Sequence, residues 1–257
     1  MYEAVMIAAT GLRHQQARLD TIANNVANVN SAGYKSARLD FKDALYTAGL
    51  IPGRARSPEE NQQKGHGVMI AAITKDYSTG AFERTDRMLD VAIEGEGFFE
   101  LEDPDGNLVY SRNGDFEMNR WGGGYYLLNG DGYFIHDADG NKIMVPENTD
   151  KVDIGVDGTI TFTAGEQETS VKLALYTFRN VTGLLSVGNG NYGESDASGE
   201  KMAADSAKIR QGTLEMSNVK LSEEMTRIIR TQRVFQLASR ALKTADDMEG
   251  IANNMRS

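Results

Sequence analysis

The sequence predicts an α+β fold in which two terminal helices pair as a coiled-coil-like domain and enclose, in chain order, a central and mainly antiparallel β domain. Three observations carry this expectation: a heptad stripe of large apolar residues at the C-terminus, a second stripe at the N-terminus, and period-two segments between them punctuated by Asn-Gly and Asp-Gly pairs.

The stretch from Ser217 to Met255 has no Pro and one Gly, and Leu221, Ile228, Phe235 and Leu242 recur seven apart, with Met225 beside the first of them. A second row, Val234, Ala238, Ala241, Ala245, Met248, Ala252 and Met255, alternates steps of four and three. Two apolar rows need two neighbours. Ser217 or Asn218 is placed to cap the first turn, and Glu223 and Glu224 follow where the positive end of a helix favours acids. At ~1.5 Å per residue the segment would be roughly 60 Å long, so its partner must be elongated as well.

Residues 1–30 repeat the pattern. Val5, Leu12, Leu19 and Val26 fall seven apart, Ala8, Ile22 and Val29 follow three of them by three residues, and Gln15 fills the remaining place. The Asn-rich run through Asn24, Asn25, Asn28 and Asn30 should end the helix, with Gly33 available for a left-handed turn. The simplest way to bury both stripes is against each other, parallel or antiparallel. One shared face leaves the later α-helical row at the C-terminus bare, and further copies of the chain could cover it.

Between the helices, Asp40 to Leu50 reads as a short helix and Ile51 to Gly65, with two Pro and many polar residues, as a mobile loop. The period then becomes two: Val68 and Ile70, Val91 and Ile93, Phe99 and Leu101, and onward to Val171, Leu173 and Leu175 as one alternating strand. Asp105-Gly106, Asn129-Gly130, Asp131-Gly132, Asp139-Gly140 and Asp157-Gly158 separate apolar runs as hairpin turns do. Residues after Gly183 thin to a polar loop. The domain plan is therefore 1–30 with 217–257 as a terminal helical domain for polymerisation, 31–75 as a connecting segment, and 76–216 as a β-rich outer domain.

The formal charge of −10 is unevenly placed. Residues 1–30 are neutral and residues 217–257 carry seven basic against five acidic side chains, so the middle holds about −12. An acidic middle repels phosphates and argues against nucleic acid partners. No apolar run approaches the ~18 residues of a membrane span, and the start lacks the features of a cleaved secretory signal. Cysteine is absent, which removes disulfides and thiolate chemistry.

Motifs of chemistry fail on context. Gly188, Gly190 and Gly193 match G-x-G-x-x-G without a helix to follow. Asp103 to Asn107 and Asp137 to Asn141 start like calcium loops, but glycine stands at the fourth place and no bidentate Glu closes the twelfth, so turns explain them better. His14, His66 and His136 are scattered, with His14 expected to face solvent. The expectation is a protein that is not an enzyme and has no cofactor or metal; a β-rich adhesive or carbohydrate-binding module is the alternative from another class.

Four segments in order resemble the bacterial flagellar basal-body rod and hook family: Ile22 to Lys35 (IANNVANVNSAGYK), Leu89 to Phe99 (LDVAIEGEGFF), Tyr110 to Phe116 (YSRNGDF) and Gly212 to Val219 (GTLEMSNV). The length and the second segment are most similar to the distal-rod members, with the proximal-rod members as the alternative. The signature residues are Asn24, Asn25, Asn28, Gly33, Tyr34, Lys35, Gly95, Gly97, Phe98, Phe99, Ser217 and Asn218, with Ser31 and Tyr34 replacing the Thr and Phe of many relatives. The resemblance implies a helical homopolymer outside the cytoplasm, exported by the flagellar type III apparatus, with other rod proteins, the hook protein and ring proteins as partners and no nucleic acid or membrane embedding. The helix positions then expected at the assembly interface are Val5, Leu12, Leu19, Ile22, Val26, Leu221, Met225, Ile228, Phe235 and Leu242.

Overall fold

The computed structural model describes residues 2–43, 46–48, 63–65, 68–204 and 206–255. The chain forms two compact units, one from Met1–Ala27, Ala37–Thr74 and Lys220–Ser257, the other from Asn28–Ser36 and Lys75–Val219.

In the first unit, α1 (Tyr2–Ala27) packs with α2 (Leu221–Asn254). The α1 seam is regular: Val5, Ala8, Leu12, Gln15, Leu19 and Val26 are half-buried and Ile22 is buried, at alternating steps of three and four. Each fully covered Leu- or Ile-sized side chain contributes ~1.5–3 kcal/mol, so this row is where the pair gains most of its stability. The start of α2 differs from the expected cap. Backbone N–H groups of Glu223 and Glu224 donate to the Lys220 carbonyl at 3.0 and 3.1 Å, while Ser217 and Asn218 lie upstream and do other work. Arg227 then pairs with Glu223 and Glu224 over the first turns, at 3.8 and 2.6 Å.

The segment expected as a short helix from Asp40 begins instead inside a strand, Ala37–Asp43, paired with Val68–Lys75 in a two-stranded ribbon. The reason is a period of two across Ala37, Leu39 and Phe41, with Arg38, Asp40 and Lys42 between them; Leu39 is buried. Phe41 takes the edge of His14 at 6.2 Å and the Arg18 guanidinium at 5.8 Å, so His14 packs on a ring rather than facing open solvent. Asn25 locks the strand to α1: its amide accepts from Ala37 N–H at 2.9 Å and donates to Ala37 C=O at 2.8 Å. Tyr46–Ala48 pairs with Gln63–Gly65. Residues 49–62, most of the expected mobile loop, and His66 lie outside the described residues.

The second unit is antiparallel β throughout its paired strands, with a ten-stranded sheet, a three-stranded sheet (Lys151–Ile154, Thr159–Ala164, Gln167–Lys172) and two strand pairs. Both faces of the large sheet are covered. Neighbours along a strand point to opposite sides, so Phe99 joins a core with Val91, Ile93, Leu101, Phe116, Leu127 and Ile160, while Phe98 joins Tyr110, Phe178, Leu184 and Tyr192 on the other side. The Asp-Gly pairs are turns. Asp103 and Asp137 each accept backbone N–H bonds through Oδ1, from Asn107 at 2.8 Å and Asn141 at 2.7 Å, which occupies the carboxylates a calcium loop would use.

Two β expectations change. The single strand through Val171, Leu173 and Leu175 is two, Gln167–Lys172 and Leu175–Phe178, because Leu173 and Ala174 are both buried where the chain passes from the small sheet to the large one. The expected polar loop after Gly183 contains a hairpin, Leu185–Gly188 with Asn191–Gly193. Its Asn189-Gly190 turn has φ values of 48° and 76°, so the glycines of the apparent nucleotide motif serve a hairpin.

Candidate functional site

On α2 the covered row is Ile228, Thr231, Phe235, Ala238, Leu242 and Ala245, again in steps of three and four. Leu221 and Met225 lie outside it and are exposed, as is Ile229. A second apolar row remains bare: Val234, Leu237, Ala241, Met248, Ile251 and Met255, with Leu237 64% and Met255 80% exposed. At ~100° per residue this row lies roughly a third of a turn from the covered one. The two-row reading of the sequence was sound in kind and wrong in membership. Ala238 and Ala245 belong to the covered seam, and Leu237 and Ile251 are the large members of the bare one. In the ribbon of the same unit Val68, Met69, Ile70 and Ile73 are also exposed, on both faces. Rows of bare apolar side chains on this scale are the kind of surface that a protein, ligand or membrane contact covers.

In the second unit three of the signature segments converge on one carboxylate. Glu215 ends the strand Thr213–Glu215, which pairs with Phe82–Arg84. Its Oε1 accepts from Lys35 Nζ at 2.6 Å and from Gly80 N–H at 2.9 Å, and its Oε2 accepts from Arg112 Nη1 at 3.2 Å. Its own carbonyl accepts from Gly33 N–H at 2.7 Å. Lys35 reaches on to the Ser78 carbonyl at 2.7 Å, and Arg112 to those of Ile93 and Gly95 at 3.3 and 2.7 Å. Lys35, Arg112 and Glu215 are all buried. Burial pushes the Lys35 ammonium below its usual value against the pull of Glu215, and does the same to Arg112. Two buried cations thus share Glu215 as their one contacting carboxylate, with Asp76 a weaker anionic neighbour of Lys35 and Glu96 of Arg112.

The backbone around this clasp admits no other residues. Gly33 has φ of +68°, and a Cβ there would stand 2.5 Å from Asn113 N; a Cβ on Gly80 would stand 1.9 Å from the Met216 carbonyl oxygen. Asn218 adds a second set of ties. It accepts from Ser36 N–H at 2.8 Å and donates to the Asp76 carbonyl at 2.8 Å and the Ser78 carbonyl at 3.2 Å, while its own N–H reaches the Tyr34 carbonyl at 3.4 Å.

The other signature residues fall nearby or in the cores. Asn28 accepts from Ser31 N–H and its hydroxyl at 3.2 Å each, closing the turn after α1. Asn24 is on the exposed side of α1. Gly95 supplies a carbonyl to Arg112, Gly97 packs against Ala204, and Phe98 and Phe99 fill the two cores. Ser217 Oγ accepts from Val219 N–H at 3.3 Å. Arg112 and Glu215 were missed as site residues, although both lie inside quoted signature segments; a charged residue flanked by apolar or turn residues was the available signal.

His136 forms a separate charged chain. Its Nδ1 is 3.3 Å from Glu100 Oε1 and its Nε2 2.9 Å from Glu102 Oε2, with Lys201 on Glu100 and Lys142 Nζ 3.0 Å from Glu102. The hydrogen bond to Glu100 raises the His136 pKa above its usual value, against burial, and Glu102 adds to the rise. A raised folded value means the stabilisation is complete below the ordinary ~6.5 and is lost as pH climbs through the folded value. The thermal midpoint is therefore expected to fall as pH rises above about 6.5, and His136→Asn to flatten that fall. A wild-type profile as flat as the variant's would contradict the arrangement. Among the described residues no cluster of His, Asp and Glu is shaped to hold a metal ion, and no helix is long and apolar enough to cross a membrane.

Comparison with known proteins places these features. The family described as "Flagella basal body rod protein" matches residues 6–35, "Flagellar hook protein FlgE/F/G D1 domain" matches 92–162, and "Flagellar basal body rod FlgEFG protein C-terminal" matches 210–255. The chain is 35% identical over 273 residues to the flagellar basal-body rod protein FlgG of Borreliella burgdorferi, covering 100% of this chain and 99% of that one. It is 34% identical over 259 residues to FlgG of Bacillus subtilis, covering 96% and 97%. To a second Bacillus subtilis protein, the flagellar hook-basal body complex protein FlhP, it is 30% identical over 271 residues, covering 100% of each. With the three matched regions in order along the chain and relatives similar over their whole length, the chain belongs to the flagellar basal-body rod protein family.

Proposed function

We propose that the chain, a structural subunit of the flagellar rod and of the distal-rod kind, polymerises with copies of itself into a helical tube that carries torque from motor to hook. The observation that carries this reading is the bare row Val234, Leu237, Ala241, Met248, Ile251 and Met255 on a helix whose other row is already covered within the subunit. In a tube, each such row meets a neighbouring helix, and every covered Leu- or Met-sized side chain contributes ~1.5–3 kcal/mol per copy. Identical contacts repeated by a rotation that does not close on itself build a filament rather than a ring. Val5, Leu12, Leu19, Ile22 and Val26 serve the pairing of α1, and Ile228, Phe235 and Leu242 that of α2, while Leu221 and Met225 join the surface offered to other copies.

The partners are further copies, other rod proteins, the hook protein and ring proteins; the subunit works outside the cytoplasm, after export by the flagellar type III apparatus, and performs no catalysis. The test is electron microscopy of purified chain at rising concentration. Tubes or filaments above a threshold concentration support the reading; a chain that stays monomeric at every concentration, with or without a short rod seed, overturns it.

A further inference from the structure

We propose that the clasp around Glu215 is the mechanical junction of the subunit, the point through which force on the chain enters the β unit; this rests on the torque-carrying role above. The chain crosses into or out of that unit after Ala27, Ser36, Thr74 and Val219. Force carried by the chain itself therefore enters the β unit along Asn28–Ser36, Lys75 onward, or the residues ahead of Val219. Residues 28–36, 76–81 and 216–219 form no strand, so no ladder of their own anchors them.

One set of bonds ties all three together, beside the separate bonds of Asp76 N–H to the Ser36 carbonyl and Met216 N–H to the Ala81 carbonyl and the packing of Tyr77 on Phe98 and Tyr192. The Glu215 carbonyl holds Gly33, its Oε1 holds Lys35 and Gly80, and its Oε2 holds Arg112. Asn218 holds Ser36, Asp76 and Ser78. Arg112 passes the connection on to the carbonyls of Ile93 and Gly95, at the strand Val91–Glu94 of the core. All three entering segments are tied at one place, so a pull on one is shared by the others and the bonds are loaded together.

The composition of the clasp agrees with a mechanical role. A buried site holding two cations against one carboxylate is a poor choice for stability alone, since an apolar replacement of a buried ionic group often folds as well or better. Charge-assisted hydrogen bonds, however, are short and strong individually, which suits a joint loaded in parallel. The absence of a Cβ at Gly33, 2.5 Å from Asn113 N were it present, lets the entering segment lie directly on the backbone beside Arg112.

The test is single-molecule pulling of the full chain, which has no native cysteine to interfere with attachment. Handles at Ala27→Cys and Lys220→Cys load the entering segments. Handles at Asp139→Cys and Asn189→Cys load the same unit through exposed hairpin tips instead. Lys35→Met is the informative variant, because it removes the first entering segment's charge-assisted tie to Glu215, keeping only the Gly33 N–H bond to the Glu215 carbonyl, and leaves Glu215 and Arg112 as a one-to-one pair. The unfolding force across the first handles is expected to fall roughly two-fold with loss of that charge-assisted bond, and the force across the second to stay unchanged. Equal falls in both directions would mean a merely stabilising role, and no fall across the first handles would mean no role; either overturns the proposal. The measurement needs no polymer, so its failure is distinguishable from a failure of tube assembly, which would sink the functional reading.

Discussion

Leu237→Asp is expected to abolish polymer formation while leaving the free subunit's stability within about 0.5 kcal/mol of wild type. Leu237 is 64% exposed in the subunit, so the substitution removes little that holds the chain together. In a polymer the same carboxylate would be drawn out of water beside Val234 and Ala241, and its helical neighbours Arg233 and Arg240, at i−4 and i+3, could pair with it only by being desolvated too, a cost of several kcal/mol repeated at every subunit. Sedimentation would show the loss of polymer, thermal unfolding the intact subunit, and cells carrying the change should not swim. Phe235→Asp differs in a useful way. Phe235 sits on the covered row, so its replacement should weaken the packing of the helices as well as assembly, while the β unit keeps its cooperative unfolding. Motile cells carrying Leu237→Asp would remove the bare row from the account.

Glu215→Gln is expected to destabilise the β unit by about 3–5 kcal/mol, because it leaves Lys35 and Arg112 buried with no anion between them. Lys35→Met should cost far less, about 1 kcal/mol, since Glu215 keeps Arg112 and the Gly80 N–H and no charge is stranded. The asymmetry is the prediction. Urea unfolding of the two variants measures it directly, and equal losses would show that the cluster acts as a set of independent contacts.

The helices were legible in the sequence because their period survives folding. Val5, Leu12, Leu19 and Val26 announce a seven-residue repeat, and the structure half-buries all four. The division of α2 into covered and bare rows was less legible, since small residues such as Ala238 and Ala245 fit either row and only the packing with α1 selects between them. The strand at Ala37–Asp43 was hidden by good helix formers, and tertiary pairing with Val68–Lys75 overrode them. The hairpin at Asn189-Gly190 was hidden in a polar stretch because its strands expose Leu185 and Val187 and so carry no buried alternation. The clasp was out of reach of periodicity altogether. Lys35, Arg112 and Glu215 are far apart along the chain, and only the close approaches at Gly33 and Gly80 bring them together.

The claim on which the function rests is that the bare α2 row is covered by other copies, and the lack of native cysteine allows it to be tested residue by residue. Leu237→Cys and Met248→Cys, with Asp139→Cys at an exposed hairpin tip of the β unit as a comparison, would be reacted with a maleimide as free subunit and after polymerisation. The account predicts rapid labelling of all three in the subunit and strong protection of Leu237→Cys and Met248→Cys in the polymer. Polymers in which those two positions react as fast as they do in the free subunit would contradict it.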